Sequence, residues 1–168
     1  MADTTKVMRY MLQEYYGVPG ENGEVEFHYM NKGFTQLDET GEAEVEDGEA
    51  YIGDRNATPS INGYNGSWEF ETQYIYGDPV CDDIRMIGIK QLVGSDCERD
   101  MISIDLMHPA AGGGEGEYEA RKLRIAVETS APHGEPRAPV VMNGTLHQLG
   151  DAIPGTFNVT TKTFTPAV

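Results

Sequence analysis

The sequence predicts a turn-rich, mainly β protein of about eight strands with one helix. Three observations predict it. Apolar and polar residues alternate with period two in several segments. Twenty Gly and nine Pro supply breaks between them. One segment alone combines helix caps with a helical apolar row. At 168 residues the chain has the length of a single domain, taken as residues 1–168.

The elements follow in order. The first apolar run, Val7–Leu12 and on to Tyr15 and Tyr16, fits helix or strand by periodicity, and the cluster Gly17, Pro19, Gly20, Asn22 and Gly23 is a turn. Val25, Phe27 and Tyr29 then alternate with Glu26 and His28. A strand, a Gly-rich turn and a second strand make a hairpin, so residues 7–16 are expected to be extended. Residues 38–54 hold eight carboxylates and no Lys or Arg. Glu42, Glu44 and Glu46 alternate with Ala43 and Val45, which puts three like charges on one side of any strand. The expectation is a long acidic loop over about 31–55, or a solvated strand.

Trp68, Phe70, Thr72, Tyr74 and Tyr76 alternate with Glu69, Glu71, Gln73 and Ile75, the clearest strand in the chain. The helix is expected over about 78–93. Asp78 caps it, Pro79 occupies its first turn, and Val80, Ile84 and Ile87 form its apolar row. Gly94 is the expected stop, and Gly88 inside suggests close packing on a sheet. Further strands are expected around Ile102–Leu106, Leu123–Val127, Val140–Leu149 and Thr156–Phe164. The loops expected between them are Pro109–Gly116, the Pro-rich 132–139, and a hairpin loop at Gly150–Gly155.

Charge excludes several roles. Twelve Lys and Arg against 28 Asp and Glu leave a formal charge of −16. Such a chain has no electrostatic grip on nucleic acid and is repelled by anionic membrane surfaces. The polar start Met1–Lys6 lacks an apolar signal core, and no stretch approaches the ~18 apolar residues of a membrane span. Cys81 and Cys97 are read as two thiols, and the sequons at Asn56, Asn65, Asn143 and Asn158 as chance.

Catalytic and cofactor patterns are missing too. His28, His108, His133 and His147 show no metal-ligand spacing, and the two cysteines are too far apart for a zinc pair. Gly112–Gly116 lacks the Lys-Ser/Thr of a phosphate loop, and its Glu115 opposes phosphate. No nucleophile elbow is present. The chain is therefore expected to be non-enzymatic, with no cofactor and no metal.

The order of several short segments is more specific. Tyr51-Ile52-Gly53-Asp54-Arg55-Asn56-Ala57-Thr58 leads into the aromatic strand from Trp68, and Gly77-Asp78-Pro79-Val80 opens the helix. Gly94-Ser95-Asp96 closes it, and Gly150–Gly155 precedes Thr156-Phe157. In that order these segments resemble the tail tube (major tail) proteins of tailed bacteriophages and prophages, from about residue 6 to residue 164.

The resemblance implies a β-sandwich or barrel-like tail tube fold with a flanking helix. It implies six-fold rings stacked into a hollow tube, through which the genome and the tape-measure protein pass. The partners implied are other copies of the chain, the tape-measure protein and the tail terminator and distal tail proteins. DNA would transit without specific binding, and no membrane is involved. The location implied is the virion tail, with synthesis in the host bacterial cytoplasm.

An acidic conduit leaves DNA mobile, because DNA carries one negative charge per ~1.7 Å of axis. Glu69, Glu71 and Gln73 are thus the channel-lining candidates. Asp38, Glu39, Glu42, Glu44, Glu46, Asp47 and Glu49 are candidates for the lumen or for contacts between rings. Lys32, Arg55, Arg121, Lys122 and Arg124 are candidates for salt bridges between subunits. Two alternatives stand beside this reading. One is the inner tube protein of a contractile tail, tailocin or injection system. The other, from a different class, is a monomeric carbohydrate-binding β-sandwich that uses Trp68 and the tyrosines for stacking.

Overall fold

Eight antiparallel strands of a computed structural model, which describes residues 4–168, hydrogen-bond into one sheet. Met1–Asp3 of the polar start lie outside the described residues. The strands are β1 (Leu12–Pro19), β2 (Val25–Tyr29), β3 (Phe34–Glu46), β4 (Ser60–Gln73), β5 (Glu98–Pro109), β6 (Glu117–Thr129), β7 (Val141–Asn158) and β8 (Thr163–Pro166). Their order across the sheet is β2-β1-β5-β6-β7-β4-β3, and β8 pairs with β7. The only α-helix among the described residues, α1, spans Pro79–Lys90 between β4 and β5. The protein is thus mainly β with one helix, as its alternation predicts.

The sheet buries apolar side chains on both faces. Neighbouring residues of one strand point to opposite sides, and so Tyr15 and Tyr16 of β1 enter different cores, as do Met101 and Ile102 of β5. The larger core holds Tyr16, Trp68, Phe70, Met101, Leu123 and Ile125, and α1 covers it with Val80, Cys81, Ile84 and Ile87. Each such aliphatic side chain, fully buried, is worth about 1.5–3 kcal/mol. The smaller core, on the other face, is aromatic. Tyr15 stacks on Tyr29 at 5.4 Å, and Phe157 lies 4.7 Å from Tyr15. The sheet also curls. Arg9 Nη2 donates to the Leu37 carbonyl at 2.7 Å, which ties the entry to β1 to β3, two strands that are not ladder partners.

Gly17 and Pro19, expected in a turn, are paired in β1, and residues 159–162, expected within a strand, are a turn between β7 and β8. Five larger differences from the sequence-based expectation stand beside these. Residues 9–11 form one 3₁₀ turn, and extended pairing starts at Leu12, where Asp105 of β5 becomes available as partner. The acidic segment expected as a loop over 31–55 is strand over Phe34–Glu46, because β4 runs back beside it and satisfies its backbone. The aromatic strand begins earlier and ends at Gln73, leaving Tyr74 and Tyr76 outside it.

The fourth concerns Gly150–Gly155, expected as a hairpin loop. It lies inside one 18-residue strand, because β6 pairs with Gly144–Leu149 before it and with Ile153–Asn158 beyond Ala152, so that only Gly150–Ala152 bulge out of the ladder. Gly150 has φ +71°, a left-handed conformation suited to glycine, at the irregularity between Lys122 and Arg124. The fifth is the end of the helix, which comes at Lys90 and so earlier than expected. Its cap is Gln91 in the left-handed region (φ 51°), and Gly94 instead opens a 3₁₀ turn. The N-cap is as expected: Asp78 Oδ2 accepts from Cys81 N at 3.1 Å.

Candidate functional site: an acidic sheet face and its projecting arm

Alternation along β4 sets the site. Trp68, Phe70 and Thr72 are buried under α1, so Glu69, Glu71 and Gln73 point to the other face. Register then adds neighbours. Asp38 of β3 pairs with Glu69, Gln36 with Glu71, and Thr145 and Asn143 of β7 lie on the other side. Glu128 of β6 is opposite Thr145 and completes the row. Gln36, Glu69, Glu71, Glu128, Asn143 and Thr145 line an open groove of about 520 Å³, with Asp38 beside it on the same face. Its acids are only lightly compensated. Thr35 Oγ1 donates to Glu71 at 3.0 Å, Gln36 Nε2 to Asp38 at 3.2 Å, and His147 Nε2 lies 2.5 Å from Glu128.

Past Ser67, where β4 parts from β7, the β3–β4 pair continues alone as an arm. Glu42 and Glu44 extend the acidic row along one side of it, opposite Asn65 and Gly63. Glu46 accepts from Asn62 at 2.8 Å near the tip, and Asp47 and Glu49 lie in the tip loop. The other side of the arm is apolar, with Ala43 opposite Tyr64 and Val45 opposite Ile61.

Of the acids grouped from sequence, the structure brings Asp38, Glu69 and Glu71 together and separates Glu39. Glu39 points to the opposite face, where Arg121 donates to it bidentately at 2.9 and 2.7 Å. That pair sits near Trp68, with the Arg121 guanidinium 6.0 Å from the indole. Arg121 is therefore held within its own chain. Lys122 lies 3.5 Å from Asp100, and Arg124 pairs with Asp100 at 3.0 Å and Glu98 at 3.4 Å. Lys32 and Arg55 are exposed and make no ion pair among the described residues.

Sequence reasoning missed Glu128, although the alternation of Leu123, Ile125 and Val127 already placed it on the outward row. It also missed Glu14, which is 7% exposed on the helix-side face. Burial raises its pKa, against the lowering effect of Arg9 at 3.1 Å. Trp68 is fully buried and offers no surface for stacking on a sugar, which removes one support of the carbohydrate-binding alternative.

No protein-family model and no curated protein matches the chain. A solved structure does. A chain of the cryo-electron microscopy structure of the anti-feeding prophage baseplate, six-fold symmetrised, aligns with a TM-score of 0.55 over 94% of this chain and 99% of that one. The fold is shared from end to end. At 7% identity the likeness is one of fold, without sequence kinship to support it.

Proposed function

We propose that the chain is a non-enzymatic structural subunit of a phage-type tail. Copies form six-membered rings that stack into a hollow tube, with the acidic face toward the lumen. The observation that carries this reading is the end-to-end fold match to a chain of a six-fold symmetrised prophage baseplate. The acidic face supports it. Asp38, Glu69, Glu71 and Glu128 stand together on a surface whose negative charge repels polyanions, as a conduit for DNA requires. The partners are further copies, the tape-measure protein and the terminator and distal tail proteins, and the location is the virion tail. The same match favours a second reading within this class, the inner tube of a contractile tail, tailocin or injection system.

Negative-stain electron microscopy of the concentrated protein tests the assembly. Rings or hollow tubes are expected. A chain that stays monomeric at millimolar concentration after days would overturn the reading.

A further inference from the structure

Asn22, Asn62, Asn65 and Asn143 are each followed by glycine. In sequence the four sites are chemically alike. A glycine nitrogen has no side chain beside it to screen it, so it can attack the side-chain carbonyl of the asparagine before it. The attack needs the asparagine ψ to leave the extended range near about +135°, so that Cγ swings onto the next nitrogen. A residue held in a β-ladder cannot make that turn without giving up its pairing. The fold therefore separates the four. Asn143 and Gly144 lie between two ladders, with β4 on one side and β6 on the other, and the Asn143 carbonyl also accepts from Ser130 N at 2.8 Å. Asn65 and Gly66 pair with Glu42 and Gly41. Asn62 has both amide atoms engaged, its Nδ2 donating to Glu46 at 2.8 Å and its Oδ1 accepting from Ser60 at 3.2 Å. Asn22 instead is exposed in the turn between β1 and β2, outside every ladder. Gly23 N donates to Gly20 O at 3.1 Å within that same turn, and Gly23, at φ +77°, has open space where a Cβ would stand.

We propose that Asn22 is a site of self-modification, converted to aspartate and isoaspartate in the folded protein while Asn62, Asn65 and Asn143 stay intact. The Gly23 nitrogen gives up its proton and bonds to Asn22 Cγ. The Cγ–Nδ2 bond breaks, and Nδ2 leaves as ammonia. Water then opens the cyclic imide at either of its carbonyls. One opening gives aspartate, the other isoaspartate, which carries an extra methylene in the main chain. Water is the only co-reactant, and nothing is oxidised or reduced. Either product sets a new negative charge between Glu21 and Glu24. Isoaspartate also lengthens the loop that sets the Pro19–Val25 register of β1 on β2, and β2 ends the sheet with no second strand to hold it.

Tryptic peptide masses test it, read on the full chain before and after long incubation in warm, mildly alkaline buffer. Cleavage at Lys and Arg puts Asn22 in peptide 10–32, Asn62 and Asn65 in peptide 56–85, and Asn143 in peptide 138–162. Each conversion adds about 1 Da. In the folded protein peptide 10–32 is expected to shift several-fold faster than the other two, and Asn22→Ser is expected to abolish its shift. In urea, where no ladder remains, all three peptides are expected to shift together. A shift of peptide 56–85 or 138–162 that keeps pace with 10–32 in the folded protein overturns the proposal. So does a shift of peptide 10–32 that survives Asn22→Ser.

Discussion

Asp83 illustrates how one residue ties the helix to the sheet. Tyr16, fully buried in β1, donates its hydroxyl to Asp83 at 2.5 Å, and Arg99 donates to the same carboxylate at 2.8 and 3.1 Å. Burial and the adjacent Asp83 charge push the Tyr16 hydroxyl well above its ordinary pKa, so it stays a donor at any working pH. Truncation leaves a nearly buried guanidinium and a buried hydroxyl without their acceptor. Asp83→Ala is expected to cost about 3–5 kcal/mol, read as a lower midpoint in urea unfolding with an unchanged slope. Glu14 makes the opposite case. Its pKa is raised from 4.5, so the folded state holds its proton more tightly than the unfolded chain does. The stability this adds is complete below 4.5 and is lost as pH rises through the folded-state value. Glu14→Gln, which cannot ionise, should therefore gain on the wild type as pH rises from about 4 to 7. Denaturant titrations at the two pH values check this, and a constant difference between them would refute it.

At the scale of the element, α1 is held by proximity as well as by its apolar row. A Cβ at Gly88 would stand 2.7 Å from the Ser130 carbonyl oxygen at the end of β6, and backbone cannot swing aside as a side chain does. Gly88→Ala gains about 1 kcal/mol of helix propensity, yet must push the helix off the sheet. Overpacking of this kind costs about 1–3 kcal/mol. The net expectation is a loss of up to about 2 kcal/mol, where an exposed mid-helix glycine would show a gain. Thermal unfolding of the variant decides the sign. The close packing suggested by a glycine inside the helical segment is thus present, against the Ser130 carbonyl and the Thr129 methyl. The arm shows a different balance. Carboxylates in a row repel, but in water at 4 Å each such pair costs only about 1 kcal/mol. Backbone pairing of β3 with β4 offsets that, so the acidic run is strand and not loop.

For the whole molecule, the predicted outcome concerns charge. Glu69→Lys with Glu71→Lys changes the face by four charges per copy without touching either core, since Glu69 is exposed and Glu71 half-buried. Assembled tubes of the double variant are expected to retain added duplex DNA at low salt and to release it as salt rises, while wild-type tubes retain none. Equal retention by both would show that this face does not line the lumen.

Much of this molecule is local and therefore legible in its residues alone. The aromatic strand from Trp68, the Asp78 cap with Pro79, the period of Val80, Ile84 and Ile87, and the outward parity of Glu69 and Glu71 each depend on residues within a turn or two of one another. The net charge depends on no fold at all. Whatever needs a distant partner is settled by the fold instead. Glu39 and Glu42 sit in one acidic run, but register sends Glu39 to Arg121, 82 residues away, and leaves Glu42 in solvent. Gly150 reads as a turn, yet β6 beside it keeps the strand going. The curl of the sheet, which brings Arg9 against Leu37 and separates two cores, appears in no window of sequence. Side-chain direction and capping are set by neighbouring dihedrals, whereas pairing is set by which backbone is left unsatisfied once the other strands have found theirs.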